Sequence, residues 1–186
     1  MSDYNFDRFS VLVVEDNRYL QSLLVQSLKA LGIGTIMTAG DGGDAIDMLQ
    51  MMAKDPMKAG VMNYDIVMAN WQMSPIDGLM LLRWVRRSKE SPQRFIPFIM
   101  VTGYADKDKV QEARDMGVTE ILAKPFSVST IAQRLLQVID RPRQFVHTPS
   151  YFGPDRRRQD VGRPDGPCRR KITEDEIDIV YDFGTS

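Results

Sequence analysis

The sequence predicts an α/β fold: a doubly wound sheet of five parallel strands with helices on both faces, followed by a mostly irregular C-terminal tail. Three observations carry that expectation. Short, nearly continuous apolar runs alternate five times with segments of helical period over residues 1–140, as in strands buried on both faces and joined by crossover helices. Several runs end in polar or charged side chains, where ligands bind in such sheets. After Pro142 the periodicity gives way to a stretch rich in Pro, Gly and Arg, which cannot build a core of its own and is expected to be flexible alone.

In chain order, residues 9–14 form the first strand. Asn17 then stands at an N-cap, Leu20, Leu23, Leu24, Leu28 and Leu31 follow at helical spacing, and Gly32 stops the helix. Residues 33–38 make the second strand. Asp41, Gly42 and Gly43 link it to a helix over 44–52 with Ile46, Leu49 and Met52 inward. The third strand and helix span 65–70 and 78–87. The fourth strand is 97–101, followed by a polar helix over 106–116 and a fifth strand at 118–123. The last helix, 127–140, is capped by Ser127 and packs Ile131, Leu135, Val138 and Ile139. The chain therefore divides into a body at 8–140, an arginine-rich tail at 141–171 and an acidic segment at 172–186. In the last segment Thr173 and Glu176 form a capping-box pattern that predicts a short docking helix.

With 186 residues, 43% hydrophobic and 26% charged, the chain has matter for one core plus an appendage. Its net charge of −1 is the sum of segregated parts: −2 over 1–140, +6 over 141–171 and −5 over 172–186. That asymmetry marks the tail as a segment of different purpose. Apolar runs are too short to span a bilayer and no leader pattern opens the chain, so a cytoplasmic protein is expected. A single cysteine, Cys168, excludes an internal disulfide framework, and the lone His147 has no neighbouring ligand types for a metal.

The strand ends carry the chemistry. Strand one ends in Glu15 and Asp16, strand three in Asn70, strand four in Thr102, and strand five in Lys124 followed by Pro125. Carboxylate oxygens suit Mg²⁺ and an ammonium suits a phosphoryl group. Polar strand ends also occur simply because they meet water; it is their joint appearance that carries weight.

These residues resemble the CheY-like receiver domain of bacterial response regulators, a flavodoxin-like fold. The resemblance rests on V-V-E-D-N at 13–17, Y-D-I-V-M-A-N at 64–70, I-D-G at 76–78, V-T-G at 101–103 and A-K-P-F at 123–126. It implies that Glu15 and Asp16 are the acidic metal pair, Thr102 the switch hydroxyl, and Lys124 the phosphoryl contact, with a cis bond before Pro125. The phosphoacceptor aspartate falls on Asn70. An amide is a poor nucleophile and removes an anionic oxygen from the metal site, so no phosphorylation there and only weak Mg²⁺ binding are expected. The aromatic switch position is Ile121, and residues 53–63 read as an insertion. A degenerate receiver, fold retained and phosphate switch lost, is the resulting expectation, with no enzymatic activity of its own.

In the tail, G-P-D-R-R-R at 153–158 is repeated in degenerate form as G-P-C-R-R-K at 166–171. Arginine bonds bidentately to guanine and stacks on bases, aspartate accepts from guanine N–H groups, and Tyr151 and Phe152 offer stacking faces. A ligand with two guanines and two phosphates, cyclic di-GMP, would satisfy all of them. A receiver with such a tail resembles the Cle group of CheY-like proteins, which bind cyclic di-GMP and act at the flagellar motor or in surface attachment. That resemblance implies ligand contacts at Tyr151, Asp155, Arg156, Arg157, Arg158, Arg163, Arg169 and Arg170. The leading expectation is a phosphorylation-independent, cyclic-di-GMP-responsive adaptor of chemotaxis and flagellar motility, whose loose tail the ligand orders against the body near strands four and five. A protein partner such as a flagellar motor switch component then engages. Alternatives are a conventional phosphoryl-accepting regulator whose acceptor is replaced by Asn70, a degenerate receiver whose basic tail binds nucleic acid, or a plain solvated linker.

Overall fold

The computed structural model describes residues 5–59, 63–103, 106–156 and 178–180. Strands β1 (Ser10–Val14), β2 (Thr35–Ala39), β3 (Ile66–Asn70), β4 (Phe98–Thr102) and β5 (Glu120–Ala123) form one parallel sheet in the order β2-β1-β3-β4-β5. Helices α1 (Arg18–Ala30), α2 (Gly42–Lys54), α4 (Gly78–Arg87) and α5 (Lys107–Met116) connect them and α6 (Val128–Ile139) follows β5, with a short α3 (Pro56–Ala59) inside the insertion expected at 53–63. The α/β expectation holds, and the physical reason is direct. β1, β3 and β4 are buried along their whole length, so their side chains alternate between two cores. One face packs α2, α4 and α5 around Leu49, Leu81, Leu82 and Phe98; the other packs α1 and α6 around Leu24, Leu28, Ile131 and Leu135. Among the described residues no helix is long and apolar enough to cross a membrane.

Two strands, β2 and β5, begin two residues later than expected, for one shared reason. Gly32 (φ 84°) and Gly117 (φ 96°) adopt the left-handed conformation after α1 and α5. The next amide reaches back into the helix each time, Ile33 N to Leu28 O and Val118 N to Ala113 O. These are Schellman closures, and they claim amides that hydrophobicity alone would give to a strand. Conversely α2 begins earlier, because the Asp41 carboxylate caps the Gly43 and Asp44 amides. Leu23, one of the leucines at helical spacing on α1, is exposed at 38% and lines an apolar groove of 340 Å³ with Leu20, Lys124, Pro125 and Phe126.

The C-terminal region differs most from expectation. Strands β6 (Phe145–Thr148) and β7 (Tyr151–Pro154) form an antiparallel hairpin, and β8 (Asp178–Val180) pairs with β6. The segment 145–154 is therefore structured and packed, not a loose tail. The helix expected over 172–186 is replaced at Asp178–Val180 by a strand; its other residues lie outside the described set. The hairpin sits at the amino-terminal ends of β4 and β5. There the Phe152 ring meets Phe95 and Phe145 at centroid separations of 5.3 and 5.7 Å, under the Arg94 guanidinium at 4.2 Å. Gly117 makes the seat possible, since a Cβ there would stand 2.8 Å from Phe152 O.

Arg86, on the last turn of α4, anchors this base. It is fully buried, donates from Nε to Gly117 O at 3.0 Å and from Nη1 to Arg94 O at 2.7 Å, and lies 5.0 Å from the Phe145 ring centroid. Burial pushes its guanidinium down to about 9, which still leaves it charged at neutral pH.

Candidate functional site

The carboxyl ends of β1, β3, β4 and β5 bring the predicted residues together. Glu15 follows β1 and is buried at 1% exposure. Its Oε2 accepts from Lys124 Nζ at 2.9 Å, and its Oε1 accepts from Asn70 Nδ2 at 3.0 Å and from the Asn17 amide at 3.2 Å. Burial raises the Glu15 carboxyl above its ordinary range, while the Lys124 hydrogen bond and charge pull the other way. The side-chain amide of Gln21 holds the adjoining backbone, donating to Glu15 O and Ala39 O, each at 3.0 Å.

Asn70 is the centre of the arrangement. Its Nδ2 donates to Gln72 O at 2.7 Å and to Glu15, and reaches Asp16 Oδ1 at 3.5 Å, while its Oδ1 accepts from Lys124 Nζ at 3.1 Å. The opposite amide orientation would set an oxygen against three oxygens and an NH₂ against an ammonium, so the network fixes it. Thr102 lies buried at the end of β4 beside this cluster, and its carbonyl accepts from the Lys124 amide at 2.7 Å. The Lys124–Pro125 peptide is cis, as expected, and Ser74–Pro75 is cis as well. Ile121 is half-buried against the core.

Tested for Mg²⁺, the residues as arranged do not fit. Two carboxylates and a carbonyl supply suitable oxygens, but the amide NH₂ points into them and Asn70 turns its oxygen to Lys124. Gln72 O and Gln21 were not readable as site residues, because a main-chain carbonyl has no sequence signature and Gln21 acts through folded proximity.

The predicted ligand contacts of the tail are split. Tyr151 and Phe152 are buried at 7% each, so they are not free stacking faces. The Tyr151 hydroxyl donates to Pro154 O at 2.7 Å, and its ring lies under the Arg156 guanidinium at 4.8 Å. Arg156 is also paired with Asp115 of α5, and the Asp155 amide donates to Gln144 O at 2.7 Å. Arg157, Arg158, Arg163, Arg169 and Arg170 lie outside the described residues. The hairpin and the strand-end cluster occupy opposite ends of the sheet, separated by the length of β4, roughly 17 Å at the rise of a strand.

A sheet of this order with acidic residues, a hydroxyl and a lysine at its carboxyl edge is the framework of a receiver-type signalling domain. Residues 11–136 match the response regulator receiver domain, and the chain belongs to that family. Over 131 residues it is 28% identical to the chemotaxis protein CheY-3 of Vibrio cholerae, which covers 70% of this chain and 92% of that protein. The structure of Vibrio cholerae CheY4 crystallized at low pH aligns with a TM-score of 0.57 and 28% identity, covering 70% of this chain and 98% of that one. A chain of the CheX–CheY complex of Borrelia burgdorferi with BeF₃⁻ and Mg²⁺ shares the fold, with a TM-score of 0.58 and 24% identity over 70% of this chain and 89% of that one.

Proposed function

We propose that this chain is a receiver-class signalling adaptor that works without phosphorylation, takes cyclic di-GMP through its arginine-rich C-terminal segment, and then engages a protein partner such as a flagellar motor switch component. One observation carries the first part. Asn70 occupies the acceptor position, and its amide is bound on both sides, giving hydrogens to Glu15 and Gln72 O and taking one from Lys124. An amide so held has neither the nucleophilic oxygen nor the free lysine that phosphoryl capture needs. Glu15 and Asp16 stand in the positions of the acidic pair but as arranged do not hold Mg²⁺, with Thr102 and Lys124 in the switch and phosphoryl-contact positions.

The arginine repeat supports the ligand. Of the predicted contacts, Arg156 starts the cationic segment on a fixed hairpin, and Asp155, Arg157, Arg158, Arg163, Arg169 and Arg170 follow or flank it in sequence. Tyr151 changes role in this reading: its buried ring supports Arg156 instead of touching the base. A complex such as that of the Borrelia CheY with CheX makes a protein partner the natural output.

Calorimetry on the full chain tests the reading. Saturable binding of cyclic di-GMP, lost when Arg156, Arg157 and Arg158 become alanine, is the expected result. Absence of binding, or salt-steep binding of any nucleic acid without guanine preference, overturns the ligand assignment. A stable covalent adduct of the wild-type chain with a small phosphodonor overturns the phosphorylation-independent assignment.

A further inference from the structure

Three oxygens converge on one nitrogen at the strand ends. Asn70 Nδ2 lies 2.7 Å from Gln72 O, 3.0 Å from Glu15 Oε1 and 3.5 Å from Asp16 Oδ1. An all-oxygen set with two carboxylates is the environment that suits a small, hard divalent cation. Its centre is filled by an NH₂ group that belongs to β3. That group has two hydrogens, so the two short contacts use both, and Asp16, on the exposed side, is the least served.

We propose that the Asn70 amide is a built-in substitute for the divalent cation, so that the acidic pair is satisfied from within the chain and the site has become metal-independent. The proposal rests on the reading of Asn70 as the acceptor position. Charge bookkeeping supports it. Two carboxylates here face one ammonium, Lys124, at 2.9 Å from Glu15, and the amide donors supply the remaining positive potential without a net charge. With aspartate at 70, a third anionic acceptor would replace the donor. All three contacts would then set oxygen against oxygen, and the cluster would need a proton or a cation to hold together.

The test compares the full wild-type chain with Asn70→Asp, following thermal unfolding and tryptophan emission in a titration with MgCl₂ alone. Trp71 directly follows Asn70 and is buried, so it reports on the site. Wild type is expected to show the same melting temperature with and without millimolar Mg²⁺ and no saturable change in emission. Asn70→Asp is expected to melt several degrees lower without Mg²⁺, to recover on adding it, and to bind Mg²⁺ at least about tenfold more tightly than wild type. Wild-type binding within about threefold of the variant, or a variant indifferent to Mg²⁺, overturns the proposal. Should the variant not fold even with Mg²⁺, the wild-type titration decides: a flat response supports the proposal and a saturable one overturns it. The phosphodonor experiment above is independent, since a wild-type adduct would remove the functional reading while leaving the Mg²⁺ comparison to stand on its own result.

Discussion

Two glycines, Gly32 and Gly117, offer a matched pair for measuring how firmly the C-terminal hairpin is seated. Both close a helix with positive φ, 84° and 96°. An alanine at either position meets the left-handed penalty of about 1–2 kcal/mol. They differ in what a Cβ would touch. At Gly32 nothing lies within 4 Å, whereas at Gly117 the Cβ would stand 2.8 Å from Phe152 O, 3.3 Å from Gly153 Cα and 3.4 Å from Arg86 Cγ. The nearest of these is backbone and must move, an overpacking cost of about 1–3 kcal/mol. Gly32→Ala should therefore lose about 1–2 kcal/mol and Gly117→Ala about 2–5 kcal/mol in urea denaturation. The excess should appear locally as well. Chymotryptic cleavage at Phe145 and Phe152 requires the hairpin to open, so it should accelerate roughly 5- to 150-fold in Gly117→Ala and stay near wild type in Gly32→Ala. Equal destabilisation by the two substitutions, with unchanged cleavage, would show that the hairpin is not packed on Gly117.

Other expectations follow from buried polar groups. The Tyr64 hydroxyl is buried with no hydrogen-bond partner among the described residues, so Tyr64→Phe should leave stability unchanged or raise it by up to about 1 kcal/mol; a larger loss would reveal a hidden partner. Burial also pushes the Tyr64 phenol above its ordinary 10.0. The folded chain thus holds that proton more tightly than the unfolded one. The associated stability is complete below about 10 and disappears as pH rises toward the folded value. Wild type should consequently lose stability relative to Tyr64→Phe between neutral and strongly alkaline pH, and a constant difference would refute the assignment. Arg86→Lys keeps a charge but cannot span Gly117 O and Arg94 O with one planar fork, so it should cost about 1–3 kcal/mol by chemical denaturation. An unchanged midpoint would mean those two carbonyls are served by other donors.

The residues themselves explain which parts were legible. Glu15, Asp16, Asn70, Thr102 and Lys124 could be picked out because each follows an apolar run that is continuous in sequence, and a parallel sheet must align those ends. The alternation of periods was equally local. The starts of β2 and β5 are not written in hydrophobicity, because the Ile33 and Val118 amides belong to helix closures that compete with the strand. Tyr151 and Phe152 stand in a polar stretch that suggests open stacking faces, yet residues some sixty positions earlier, Arg94 and Phe95, cover the Phe152 ring.

The sequence by itself determined the sheet, its helices and which side chains stand at its carboxyl edge, because continuous apolar runs and the 3.6-residue helical period are written within each segment and the crossover rule leaves few topologies. Only the tertiary structure decided the direction of the Asn70 amide, the burial of Arg86 against the carbonyls of Gly117 and Arg94, and the seat of the hairpin on Gly117. Those depend on contacts between segments remote in the chain, where a donor is recognised only once the oxygens around it are in place.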